Sequence, residues 1–294
     1  MASGLQLENN VRKIPGNVFS HNSLSSSKRK RETVEQVSRS QPMKVENYHQ
    51  LVEAVAEISY RNRDYFPVYR GQTKEYWTTT KLQPKSKIIP SIQRPASGSK
   101  VVSSKLKTAR QRALYDACND LATMIKSNET LKHNFIAADF RNHEELCWSI
   151  FQHYKILPTP MLDVTQSLHV ACSFASNGNS SRSAIVYMLG LEEVSPTIFY
   201  SYFTGHQLIR LLSVMPKTAS RPFYQEGYML AAFPQKLCFE AVNYSARMLA
   251  KFEFDPDNFW PTNLPAIPND VLYPSSDKLD QALGEMREKY SHLW

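Results

Sequence analysis

Residues 68–72 read Val68-Tyr69-Arg70-Gly71-Gln72, at the end of a short predicted strand over residues 66–70. An arginine offers a planar fork of N–H donors that suits phosphate or carboxylate. The glycine beside it has no side chain, so a ligand can approach the backbone closely. The sequence therefore predicts Arg70, Gly71 and Gln72 as ligand-binding residues. The structural alternative is a buried ion pair between Arg70 and an acid such as Asp163.

The hydrophobic pattern on either side of this strand predicts helices first and strands later. The predicted helices begin near Asn47 and then cover residues 105–127, 142–154, 167–176 and 276–290. The later predicted strands cover residues 184–189, 227–233 and 236–242, the last two as a hairpin. This order favours the α+β class, with a helical N-terminal half packed on a mainly antiparallel sheet.

The 294 residues carry a formal net charge of +8, and the run Lys28-Arg29-Lys30-Arg31 holds four positive charges. Residues 1–44 are rich in Ser, Asn, Lys and Arg and poor in large apolar side chains, which predicts a disordered basic tail. The run is a solvated tail, a nuclear-import signal or a contact to a polyanion such as nucleic acid. Residues 45–294 are predicted to form a single domain that ends in a helix.

The cysteines Cys118, Cys147, Cys172 and Cys238 form no CxxC pair and follow no signal peptide, which indicates reduced thiols in a cytosolic protein. The absence of an apolar stretch of about 18 residues predicts no membrane span. The eight histidines show no metal-ligand spacing, so no metal is expected. The expected location is the cytoplasm, or the nucleus if the basic run is an import signal.

A second polar segment begins with Gln152-His153-Tyr154 at the end of a predicted helix. His153 is a candidate general acid or base, or a helix cap favoured by the helix dipole. Tyr154 would stack on a base or a nicotinamide ring, or pack in the core with its hydroxyl bonded. Asp163, two residues before Thr165, would orient His153 or Arg70, or would cap the helix that follows.

A third segment contains Arg221, Gln225 and Gly227. Together with Tyr69-Arg70-Gly71-Gln72, Pro90-Ser91-x-x-Arg94 and the segment from Gln152 to Thr165, it resembles the motifs of FRG domains in order and spacing, over roughly residues 66 to 235. Three residues depart from that pattern: Lys155 stands where the family usually has Gly, Pro160 where it has Arg, and Val164 where it has Trp. If the missing arginine binds an anion in the family, this chain binds a different ligand or binds it less tightly.

The strand-Arg-Gly arrangement is also locally similar to the first NAD-contacting strand of arginine-type ADP-ribosyltransferases. That resemblance implies an ADP-ribosyltransferase-like arrangement of the fold and NAD as a substrate. Arg70 and Arg221 would contact phosphate, Tyr154 would stack, and His153 or Gln225 would lie near the ribose as catalytic residues. Asp163 and Thr165 would complete the cofactor-binding set. Glu226 and Glu240 are poor candidates for the carboxylate that such chemistry needs.

Three hypotheses remain open at this point. The chain is an NAD-using ADP-ribosyltransferase or NAD-cleaving effector, or it is a non-catalytic module that binds a nucleotide, a nucleic acid or a protein. In the third hypothesis the polar motifs only hold the fold together through buried hydrogen bonds. The partners predicted from the sequence are a nucleotide-type small molecule and, through the basic tail, nucleic acid.

Overall fold

A computed structural model describes residues 11–25, 30–78, 83–95, 102–132, 143–193, 197–235 and 239–294. The described strands are β1 (Asn17–Val18), β2 (Glu32–Thr33), β3 (Met43–Lys44), β4 (Phe66–Gln72), β5 (Leu162–Thr165), β6 (Ala184–Leu191), β7 (Ile198–Ser201), β8 (His206–Arg210), β9 (Gly227–Ala232) and β10 (Met248–Phe254). The described α-helices are α1 (His21–Ser25), α2 (Val34–Arg39), α3 (Tyr48–Arg61), α4 (Ser104–Ser127), α5 (Glu144–His153), α6 (Leu168–Ser176), α7 (Leu211–Val214), α8 (Arg221–Tyr224), α9 (Asn269–Leu272), α10 (Lys278–Ala282) and α11 (Gly284–Tyr290). The predicted α+β class is confirmed.

Eight of the strands form one sheet in the order β3-β10-β6-β4-β5-β9-β8-β7. Every pairing in it is antiparallel except that of β10 with β3, which confirms the mainly antiparallel sheet. All eight residues of β6 are buried, as expected of a continuous apolar strand with both faces covered. The strands β4 and β5 are joined at one residue pair, Tyr69 and Thr165, and the candidate site lies beside this junction.

Three predicted helices are confirmed, and two of them begin with a side-chain cap. The side chain of Asn47 accepts a hydrogen bond from the Gln50 amide at the start of α3. Ser167 does the same for the Val170 amide at the start of α6, so Asp163 does not cap that helix. The predicted cap Asn142 lies outside the described residues, and His143 precedes α5. These caps satisfy amides that a helix leaves unpaired at its first turn.

Two predictions for the C-terminal third are wrong. Residues 239–242 form no strand, and β9 pairs with β5 and β8 instead of a following hairpin partner. The helix predicted over residues 276–290 is two helices, α10 and α11, that meet at Leu283 and Gly284. The strand β9 pairs with strands that are distant from residues 236–242 along the chain, and local hydrophobic patterns do not show such long-range pairings.

The prediction of a disordered tail over residues 1–44 does not hold for its described part. Val37 and Phe19 are buried in the main hydrophobic core. The backbone amide of Phe19 donates to the Asn62 side chain at 2.9 Å, and the Asn62 amide donates back to the Phe19 carbonyl at 2.7 Å. The apolar residues of this segment are sparse along the sequence, but six of the described ones are buried, namely Val11, Ile14, Val18, Phe19, Val34 and Val37.

Candidate functional site

A cavity of about 290 Å³ opens where β4, β5, the end of α5 and the start of β9 meet. Its volume lies just below the range that is usual for small-molecule sites, about 300–1,000 Å³. The described lining residues are Tyr69, Arg70, Gly71, Ser91, Arg94, Gln152, His153, Lys155, Asp163, Val164, Thr165, Phe174, Arg221, Gln225, Gly227, Tyr228, Tyr273 and Trp294. The three sequence motifs, although far apart along the chain, therefore converge on one cavity.

Arg70 lies half-buried at the cavity wall, on the strand β4. Its Nη1 donates to the backbone carbonyl of Asp163 at 2.6 Å, so the predicted ion pair with the Asp163 carboxylate is replaced by a bond to the main chain. Its Nε is buried and has no hydrogen-bond partner among the described residues. Burial lowers the pKa of Arg70 to about 10, and the charge of Arg94 acts in the same direction. Arg70 is still a cation at neutral pH, with donor capacity left over for a ligand.

Asp163 supplies a carboxylate to the cavity, and 41% of its side chain is exposed. One oxygen accepts a hydrogen bond from the Gln152 amide at 2.6 Å. Burial alone would raise the pKa of Asp163, but its interactions with His153 and the charge of Arg70 outweigh burial and hold the pKa below its usual value. The carboxylate is therefore ionised at neutral pH.

His153 ends α5 and is 3% exposed. Its Nδ1 lies 3.7 Å from the nearer Asp163 oxygen, which is beyond normal hydrogen-bond length. Burial lowers the pKa of His153, and the charge of Arg221 adds to this effect, while Asp163 opposes it. The imidazole is neutral at neutral pH, and its buried Nε2 has no partner among the described residues. Such a ring can accept or donate one proton.

Gln152 is held by a buried network that sequence reasoning missed as part of the site. Its side-chain oxygen accepts hydrogen bonds from the hydroxyls of Ser91, at 2.8 Å, and Thr159, at 2.6 Å. The Thr159 amide in turn donates to the Ser91 hydroxyl at 2.8 Å. With its oxygen fixed by two donors, the Gln152 amide group is aimed at Asp163. These residues position the carboxylate, and the Pro-Ser and Pro-Thr parts of the motifs were the available signal.

Tyr154 does not reach the cavity, so the structure does not place it for stacking on a ligand. The side chain is fully buried, and its hydroxyl donates to Asp277 at 3.0 Å. Burial and the Asp277 carboxylate raise the pKa of Tyr154 well above its usual value. Arg221 lies over the Tyr154 ring at 5.2 Å and over the Tyr273 ring at 4.4 Å. Both rings therefore contact the Arg221 guanidinium, and of the two only Tyr273 is among the described lining residues of the cavity.

Thr165 and Gln225 line the cavity, but the side chain of each donates a hydrogen bond to a backbone carbonyl. The Thr165 hydroxyl donates to the Gln225 carbonyl at 2.8 Å. The Gln225 amide donates to the Leu272 carbonyl at 2.7 Å, which ties α9 to the start of β9. A catalytic role for Gln225 remains a prediction. In this structure its side-chain amide donates a hydrogen bond to the Leu272 carbonyl.

Gly71 is required by packing against a helix. A Cβ atom at this position would lie 1.9 Å from the Ala171 carbonyl oxygen and 3.0 Å from the Ala175 amide nitrogen. The absence of a side chain therefore lets α6 lie directly on β4. Gln72, the next residue, lines a neighbouring cavity of about 420 Å³ that shares Gly71, Arg94 and Phe174 with the first.

Lys155 and Arg94 are cavity residues that the sequence motifs contained but that were not predicted as site residues. Lys155 has a φ of 54°, a left-handed conformation that explains why the family pattern has glycine here. Lys155 is exposed as a residue, and its ammonium lies 5.4 Å from the Tyr273 ring centroid. Partial desolvation in the cavity mouth and the charge of Arg221 lower its pKa. The chain thus lacks the family's arginine at position 160 but has a lysine in the cavity lining at position 155.

The charges around the cavity are strongly unequal. Its described lining residues include four cations, Arg70, Arg94, Lys155 and Arg221, and one carboxylate, Asp163. Glu226 does not belong to this lining and is exposed. An anion that enters the cavity therefore meets a net positive field.

The geometry defines an α+β protein with a cation-lined cavity at a strand junction. The family model of the FRG domain matches residues 66–184 of the chain. The match includes the first two motifs and ends before Arg221. No curated protein matches the chain, and no solved structure matches it.

Two further findings concern the described part of the chain. No group of three or more His, Cys, Asp or Glu residues there could hold a metal ion. None of the helices in that part is both long and apolar enough to cross a membrane.

Proposed function

We infer that the cavity binds an anionic small molecule that carries phosphate, of the nucleotide class. The observation that carries this proposal is the set of four cations against one carboxylate in the described lining. Two of these cations, Arg70 and Arg221, have a buried Nε without a partner among the described residues. A buried donor without a partner costs about 1–3 kcal/mol, which a phosphate oxygen would recover.

The rest of the lining supports a nucleotide in preference to free phosphate. Phe174, which lines both this cavity and its neighbour, contributes aromatic surface that suits the planar base of a nucleotide. Asp163 and the neutral His153 provide polar groups for the hydroxyls of a ribose. Binding of nucleic acid through the basic run at residues 28–31 remains a separate prediction.

Lys155→Gly separates ligand binding from folding. Glycine removes the left-handed strain at φ 54°, worth about 1–2 kcal/mol, but adds backbone entropy to the unfolded chain. We expect a free energy of unfolding that is unchanged or raised by up to about 1 kcal/mol. Loss of the ammonium should weaken ADP binding about fivefold, or about 1 kcal/mol. Urea unfolding measures the first quantity, and isothermal titration calorimetry measures the second.

The matched control is Arg182→Gln, which removes an exposed cation outside the cavity lining. It should leave ADP affinity unchanged. Adenosine, which has no phosphate, should bind the wild-type protein at least about tenfold more weakly than ADP. Equal binding of adenosine and ADP, or no ADP binding at millimolar concentration, would refute the proposal.

Cleavage of NAD is a second candidate, favoured by the ionised Asp163 carboxylate inside a positively charged cavity. Departure of nicotinamide leaves positive charge on the ribose, and a nearby carboxylate stabilises that state. If NAD is the substrate, Asp163→Asn should lower nicotinamide release at least about 100-fold, the cost typical of losing one stabilising group. Glu226→Gln, the same chemical change at an exposed acid outside the lining, should not. Chromatography measures the nicotinamide released from NAD. If the wild-type protein releases none, this second candidate function is refuted.

A further inference from the structure

The second cavity adjoins the first across a shared wall. Its volume is about 420 Å³, and the two cavities have Gly71, Arg94 and Phe174 in common. Its remaining described lining residues are Gln72, Thr73, Tyr76, Lys87, Ile89 and Pro95. A ligand bound by the four cations of the first cavity therefore lies next to a second space of comparable size.

The lining of the second cavity differs in chemistry from that of the first. It contains apolar and aromatic surface from Phe174, Tyr76 and Ile89, with no acid among its described residues. Such surface suits a flat aromatic ring. Lys87 and Arg94 keep the potential positive, which favours the part of a nucleotide that lies next to its phosphates.

Gln72 supplies a polar group with unused capacity in this lining. Its side-chain oxygen is buried and has no hydrogen-bond partner among the described residues. A buried acceptor of this kind costs about 1–3 kcal/mol until it meets a donor. The terminal torsion of glutamine is broad, so the amide can turn toward a donor in the cavity at little cost.

The outer wall of the second cavity is fixed in place by a buried ion pair. The Lys251 ammonium is fully buried and lies 2.6 Å from the Glu75 carboxylate, one residue before Tyr76. It also donates to the Ser86 hydroxyl at 2.9 Å, one residue before Lys87. The Lys87 amide donates to the Tyr76 carbonyl at 2.7 Å. Tyr76 and Lys87 are therefore held together on a preorganised wall.

We propose that the second cavity receives the base of the nucleotide ligand, with the Gln72 oxygen accepting a hydrogen bond from an amino group on that base. This inference rests on the proposed function, because the phosphates are held in the first cavity. Arg94 lies at the boundary and contacts the phosphate nearest the base. An adenine-type base, with its exocyclic amine, fits this acceptor. A base with a carbonyl at the same position does not.

Filling the second cavity tests the placement of the base. Ile89 lines only the second cavity, and its carbonyl bonds to Arg94 do not involve its side chain. We expect Ile89→Trp to weaken ADP binding at least about tenfold and to leave pyrophosphate binding unchanged. The control Ile198→Trp, on the edge strand β7, should change neither affinity. Unchanged ADP affinity in Ile89→Trp would overturn the placement.

Comparison of ADP with IDP tests the role of Gln72, since the two differ in an amino group against a carbonyl. Wild type should bind ADP about tenfold more tightly than IDP, and Gln72→Met should abolish that preference without changing pyrophosphate affinity. Equal affinities in wild type, or a preference for IDP, would overturn the role of Gln72 as an acceptor. Pyrophosphate binding reports on the proposed function separately: if pyrophosphate and ADP both fail to bind wild type, the proposed function itself fails.

Discussion

Gly71→Ala is expected to destabilise the native fold more strongly than a typical core substitution does. The added methyl group would lie 1.9 Å from the Ala171 carbonyl oxygen, and the opposing atoms belong to a helix backbone. A side chain could rotate away from such a contact, but α6 would have to move as a unit off β4. Overpacking usually costs about 1–3 kcal/mol, and a backbone clash belongs above that range. We expect a loss of more than about 3 kcal/mol, against a total stability of about 5–15 kcal/mol.

The measurement is urea unfolding followed by circular dichroism, with soluble yield as a first indication. Gly284→Ala is the matched control, because a Cβ atom at Gly284 would meet nothing within 4 Å. That variant should keep its stability within about 0.5 kcal/mol of wild type. If Gly71→Ala unfolds within about 1 kcal/mol of wild type, α6 does not pack on β4 as described. The glycine of the motif would then be free for contact with a ligand.

Gly71 was predicted to let a ligand approach the backbone, and in the structure it lets α6 pack on β4. The difference shows what the sequence could and could not predict. The motif around Arg70 correctly indicated a strand beside a polar cavity, although β4 continues to Gln72, and residues of all three motifs line that cavity. A glycine, however, carries no information about which partner approaches it. The partner is a helix 100 residues further along the chain, and only the packed fold shows this.

Helices were predicted more successfully than strands for a physical reason. The helix α3 has its cap Asn47 and its apolar stripe within 15 residues of sequence, so local information suffices. The strand β10 contains Lys251, which is fully buried because Glu75 compensates its charge from 176 residues away. A lysine inside an apolar run argues against a buried strand until its partner is known. The strands predicted from the sequence do not include β10.

In the candidate site, too, the residues predicted from local sequence differ from those that depend on distant contacts. Arg70, His153, Asp163 and Arg221 were predicted because their residue types suit anions and proton transfer. The exclusion of Tyr154 depends on Asp277, a partner 123 residues away that no local pattern connects to it. In the sequence Lys155 was only a departure from the family's glycine, and the fold shows that it lines the cavity at a positive φ. Residue type thus indicates what a side chain can do, and the fold decides which side chains are present to do it.

Stability is expected to fall steeply as the pH drops from 6.5 to 4, because two histidines are buried in neutral form. Burial lowers the pKa of His21 to about 4 and that of His206 to about 3. In the unfolded chain both return to about 6.5. Between these values the unfolded chain binds protons that the native protein does not bind, so acid favours unfolding. The stabilising contribution is complete above pH 6.5 and is lost as the pH falls toward the lowered pKa values.

The expected size follows from the pKa differences. At about 1.4 kcal/mol per pKa unit, each histidine accounts for a loss on the order of 3 kcal/mol between pH 6.5 and pH 4. His206 is the sharper test, because both of its ring nitrogens are buried without partners among the described residues. Replacing it removes no hydrogen bond in that part of the chain. His206→Leu should therefore retain most of its stability at pH 7 and lose markedly less than wild type on acidification.

Urea unfolding at pH 7, 6, 5 and 4 measures this dependence for wild type, His206→Leu and a control. His49→Gln is the control, because His49 is exposed and its replacement should leave the slope of stability against pH unchanged. A difference of about 3 kcal/mol between wild type and His206→Leu, developing between pH 6.5 and pH 4, is the expected outcome. Parallel curves for these two proteins would show that His206 is solvated or paired in solution. The buried histidine would then contribute nothing to the loss of stability in acid.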